Sequence, residues 1–133
     1  MNNNKLIIEQ KSPYDVTTTV AKLVENAGKK EWQIPAIHNL QQSLAKSGKE
    51  IRAVQVIEIC KPEYSGKMLE KNHEMMASVL MPCRISVYEK EDGLTYIALM
   101  NAAAMLEYLP STIAETMQKA FEETNEIIVL TIS

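Results

Sequence analysis

A thiolate is both a strong nucleophile and a soft metal ligand, so the two cysteines of this 133-residue chain are the first place to look for chemistry. Cys60 lies in Glu58-Ile59-Cys60-Lys61-Pro62, where a β-rich run ends and a proline allows a helix to begin two residues on. Backbone N–H groups at that helix start, with Lys61 alongside, would favour the thiolate. Glu58 would oppose it, because in a strand it shares a face with Cys60. The plainer account is a small buried side chain at a strand-to-helix corner. Cys83 opens another β-rich run, and its neighbours Met100 and Ala102 predict an apolar setting that leaves the thiol inert. Two thiols with His38 as helper would suit a soft metal or a disulfide cycle. There is no Cys-x-x-Cys and no His-x₃-His, so no metal or cofactor is assigned. Strand direction decides the rest: antiparallel neighbours could bring the thiols together, whereas parallel ones hold them ~20 Å apart. The candidate site is therefore Cys60, Cys83, His38 and Glu58, with no catalytic role attached.

His73-Glu74-Met75-Met76 with Met81 offers soft ligands on paper. The apolar spacing of Met75, Met76, Val79 and Leu80 instead predicts a packed or interfacial methionine cluster. Glu122-Glu123 and Glu89-Lys90-Glu91-Asp92 read as solvated surface and hairpin tip. No nucleophile elbow, P-loop, dinucleotide fingerprint or zinc-protease helix is present.

The elements that must hold these residues are legible from spacing. Lys5 to Gln10 reads as a short strand. Ser12-Pro13-Tyr14-Asp15 has the pattern of a capping box with Ser12 as cap, and Val16, Val20, Leu23, Val24 and Ala27 recur at helical intervals up to Gly28. Trp32 to Ile37 reads as extended, with Pro35 at an edge. A short helix follows from about Asn39 to Gly48, then a strand over Ala53 to Cys60 and a helix from Pro62. Asp92-Gly93 predicts a two-residue hairpin turn, which pairs Val87 with Ala98 and Ile85 with Met100. Cys83, Ile85, Val87, Tyr96, Ala98 and Met100 would then face the core. Tyr88, Ile97 and Leu99 would lie opposite, under a second layer or a partner subunit, which predicts a homodimer. Thr112 with Glu115 predicts a second capping box before a helix bearing Ile113, Met117, Ala120 and Phe121, and the tail from Ile127 to Ile132 fits strand or helix.

Composition bounds the class. Hydrophobic residues make up 46% and charged residues 23%, ordinary for a globular domain, and no Pro-, Gly- or Ser-rich stretch divides the chain, so residues 1–133 read as one domain. The net charge of −3 and scattered basic residues disfavour nucleic acid. No apolar run reaches the length of an export signal or a membrane span, which predicts a reducing, cytoplasmic setting with free thiols.

Glu58-Ile59-Cys60-Lys61-Pro62, then Met81-Pro82-Cys83-Arg84-Ile85-Ser86-Val87-Tyr88-Glu89 with Gly93, resembles the domain-of-unknown-function 302 family from about residue 14 to 127. That family has a Cys-x-Pro element after one strand and a Leu/Met-Pro-Cys element opening the next. This chain departs from it at His38-Asn39, where Asp or Asp-His is usual, and at Lys61, where Asn is usual. The resemblance implies a two-layer α+β fold, often dimeric, and no established reaction. With the pattern above, it predicts a mostly antiparallel sheet with helices packed on one face. The functional reading is a small-ligand or protein-partner-binding module without assigned catalysis, leaving open whether the chain is an enzyme. The alternative is a thiol-based redox or soft-metal protein using Cys60 and Cys83.

Overall fold

The computed structural model describes residues 2–3, 6–70 and 72–133, and the side chains from residue 6 to 70 and from 75 onward. Chain order is β1 (Asn2–Asn3), β2 (Ile7–Ser12), α1 (Val16–Lys29), β3 (Ile37–Asn39), α2 (Leu40–Ala45), β4 (Val54–Ile59) and α3 (Pro62–Leu69). A 3₁₀ segment (Asn72–Leu80), β5 (Cys83–Glu89), β6 (Thr95–Met100), two short 3₁₀ turns and α4 (Ser111–Ile132) complete it. The strands form one sheet in the order β1-β2-β6-β5-β4-β3, every neighbouring pair antiparallel. Helices α1 and α4 pack on each other, and their buried side chains share one core with one sheet face. This is the expected α+β arrangement.

Alternation along the strands builds that core. Ile57 and Ile59 of β4, Ile85 and Val87 of β5, and Ile97 and Leu99 of β6 are all buried on the helix side. Each fully buried Ile or Val contributes about 1.5–3 kcal/mol of transfer free energy. The register of β6 differs by one residue from the sequence expectation: Val87 pairs with Ile97 and Ile85 with Leu99. Ala98 is therefore half-buried on the outer face, and Met100 there is exposed. The cause is the turn. Lys90 N–H donates to Leu94 O, Gly93 N–H donates to Lys90 O, and Gly93 takes φ 78°. This is a three-residue loop closed by a glycine bulge, and one extra residue in a turn exchanges the two faces of the strand that follows. Thr95, Ile97 and Leu99 go inward, and Tyr96, Ala98 and Met100 go outward. The expected homodimer face of Ile97 and Leu99 is thus core.

Helix starts moved too. Asp15, not Ser12, caps α1 by accepting from Thr18 N–H at 2.8 Å, while Ser12 is buried in β2 against Thr19 at 2.7 Å. Helix α4 begins at Ser111 with no side-chain cap, and α2, expected from about Asn39 to Gly48, runs from Leu40 to Ala45 with Asn39 as its cap. The tail is helical to Ile132. Ile113, Thr116, Met117, Ala120, Thr124, Ile127, Ile128 and Thr131 form one continuous buried stripe, so packing at helical spacing overrides the β-branched composition.

Candidate functional site

Beyond the pair Ile85–Leu99, β5 and β6 no longer pair with each other, although Cys83 still pairs with Ile59 of β4 and Met100 with Ile7 of β2. A cavity of about 390 Å³ lies at that end of the sheet, within the range that holds small ligands. Its walls come from both sheet faces. Val56, Ala98 and Met100 line it from the outer face, Met117 and Phe121 from α4, and Val79 from the 3₁₀ segment. Two polar groups from the outer face of β5 join them, Arg84 and Ser86. Arg84 is the only charged residue of the lining, it is exposed, and it forms no ion pair or hydrogen bond through its side chain with a described residue. Its cross-strand neighbour Glu58 turns instead to His38, with Nε2 and Oε2 2.8 Å apart.

The four residues singled out from the sequence fall into two pairs. His38 and Glu58 are in contact across β3 and β4. Cys60 directly follows Ile59, the residue paired with Cys83, so antiparallel pairing places the cysteines at adjoining strand ends. Both are free thiols. Cys60 Sγ lies 3.6 Å from Ser65 Oγ in the first turn of α3. Cys83 lines the cavity, and burial pushes its thiol pKa up, with Cys60 adding to the shift. Among the described residues no three His, Cys, Asp or Glu side chains gather as a metal site would require. His73 and Glu74 lie outside the described side chains. Met75, Met76 and Val79 are exposed rather than packed into the core.

Sequence reasoning missed two charged positions. Glu123 is not solvated surface. Its carboxylate accepts from Trp32 Nε1 at 2.8 Å, Lys61 Nζ at 2.5 Å and Tyr64 Oη at 2.5 Å, tying α4 to α3 and to the segment after α1. Burial works to raise its pKa, but the hydrogen bonds from Lys61, Tyr64 and Trp32 outweigh burial and hold the carboxyl below its ordinary value. The same bond, aided by desolvation, raises Tyr64 to about 12. Helical spacing carried the signal: Glu123 stands between buried Ala120 and Ile127 on α4, three and four residues away. Arg84 was passed over because an outward arginine on a strand is unremarkable until a cavity forms beside it. On the same outer face, Glu9 is buried and accepts from Tyr88 Oη and, at 2.7 Å, from Lys90 Nζ.

The family model described as "Domain of unknown function DUF302" matches residues 8–129. Among solved structures, the chain is similar to the uncharacterized conserved protein DUF302 from Bacillus stearothermophilus. The TM-score is 0.85 at 14% identity, covering 96% of this chain and 98% of that one, a likeness of fold. No curated protein matches the chain.

Proposed function

The chain belongs to the family of domain of unknown function DUF302, and from that premise we propose that it works as a single-domain binding module whose cavity at the open end of β5 and β6 receives a small ligand. The observation that carries this reading is the cavity of about 390 Å³ with mainly apolar walls. Enclosed apolar surface releases water when a ligand covers it, and a few placed polar groups then set orientation. The test is calorimetric titration of the full chain with decanol and with decanoate, repeated on Ala98→Phe, which fills the cavity from its sheet side. Saturable binding of at least one probe at one site per chain, lost in Ala98→Phe, is the expected result. No binding of either probe overturns the reading.

Homodimer formation is part of the proposal. Its support is no longer Ile97 and Leu99 but the exposed Met76, Val79 and Met100, which are 70%, 82% and 52% accessible. Sedimentation at micromolar concentration giving a monomer would count against it. The cytoplasmic setting rests, as before, on the sequence; among the described residues no helix is long and apolar enough to cross a membrane.

Thiol chemistry at Cys60 and Cys83 is a second reading, favoured by their adjoining strand ends. Cys60, beside the start of α3, should then alkylate before Cys83, whose thiol is held protonated by burial. Timed alkylation under native reducing conditions, read by peptide mass, decides it. Equal rates or a faster Cys83 remove Cys60 as the reactive thiol.

A further inference from the structure

We infer that the ligand of this cavity is a small amphipathic monoanion, an apolar body ending in a carboxylate or similar group held at Arg84 and Ser86. The inference rests on the binding-module reading and deepens it. Three observations carry it.

The first is charge. Arg84 is the one charged side chain among the lining residues, and no carboxylate of the described chain neutralises it. Glu58, directly across the strand pair, is held by His38. Glu9, which pairs with the cavity residue Ala98, already accepts from Lys90 and Tyr88. Both acids that strand pairing sets beside the site are therefore engaged, and the guanidinium donates to no side chain of the described residues. A guanidinium fork matches a carboxylate in geometry as well as in sign.

The second is placement. Arg84 and Ser86 are two residues apart on β5, so both project from the same sheet face, with the cavity residues Val56 and Ala98 on the strands to either side of Ser86. The Ser86 hydroxyl has no hydrogen-bond partner among the described residues and can donate to the same anion. The remaining walls, including Val79, Met100, Met117 and Phe121, offer no charge and suit hydrocarbon. Methionines adapt to the shape of such a body.

The third is size. At ~30 Å³ for each water-sized atom in a liquid, the cavity admits about a dozen non-hydrogen atoms. A single charged group on a chain or ring of that length fills it.

Decanoate is about the right size, and decanol is its neutral counterpart. Wild type should bind decanoate more tightly than decanol. Arg84→Gln should weaken decanoate about tenfold and leave decanol unchanged, because an exposed, unpaired arginine contributes to the anion and not to the fold. Decanoate and decanol binding equally well to wild type, or both unaffected by Arg84→Gln, would overturn the anion while leaving the apolar binding site intact. Decanoate binding that survives Ala98→Phe would place the ion elsewhere and overturn the assignment. Failure of both probes would instead defeat the underlying binding-module reading.

Discussion

Glu123 stands among other charged side chains and Arg84 is the one charge on an apolar lining, and the fold treats them in opposite ways. Around Glu123, an indole N–H, an ammonium and a phenol converge on one carboxylate, and the side chains of Lys61 and Glu123 are only 14% and 19% accessible. Trp32 and Tyr64 add a tilted ring contact at 5.9 Å. Around Arg84 no side chain of the described residues converges. A charge that is fully answered by its own protein fastens elements together; a charge that is left unanswered beside a cavity is available to something from outside. Sequence-level charge alone does not separate the two, since both residues look like ordinary surface.

That contrast predicts a graded set of effects. The largest belongs to the hub. Glu123→Ala strands three donors and leaves Lys61 little exposed and unpaired, and should cost about 3 kcal/mol in denaturant unfolding. A loss under about 1 kcal/mol would show that the hub is incidental. The next effect is its pH dependence. Because the carboxyl pKa is lowered on folding, its contribution is complete above the ordinary glutamate value near pH ~4.3 and is lost as pH falls through the lower folded value. The stability gap between wild type and Glu123→Gln should therefore narrow below about pH 4 in acid titrations. A gap constant down to pH ~2 would break the argument. The smallest effect is on the other side of the comparison: Arg84→Gln should change unfolding free energy by no more than about 0.5 kcal/mol. A large loss there would turn Arg84 from a ligand contact into a structural one.

Periodicity made most of the framework legible. The i, i+3, i+4 recurrence of Val16, Val20, Leu23 and Ala27 located α1, Pro62 located α3, and alternation located β4 and β5. Asp92-Gly93 located the hairpin but not its loop length, because the same dipeptide serves a two-residue turn and a glycine-bulged one. That one residue moved Ile97 and Leu99 into the core and Met100 out to the cavity. The tail shows the reverse case. Ile127, Ile128, Val129, Thr131 and Ile132 carry strand-like propensities, and they are helical because α1 and the sheet offer one stripe to bury.

What the sequence determined by itself was therefore local: which segments alternate, which recur at helical spacing, where chains turn, and the family motifs around Cys60 and Cys83. Tertiary structure decided which residues became partners. Antiparallel pairing of β4 with β5 set the two cysteines at adjoining ends, and the return of α4 across the sheet carried Glu123 to Trp32, Lys61 and Tyr64. The same return set Met117 and Phe121 opposite the strand end that carries Arg84. These relations join residues far apart in the chain, 24 positions from Ile59 to Cys83 and 91 from Trp32 to Glu123. Contacts of that range depend on how whole elements pack, and no short window of residue types encodes them.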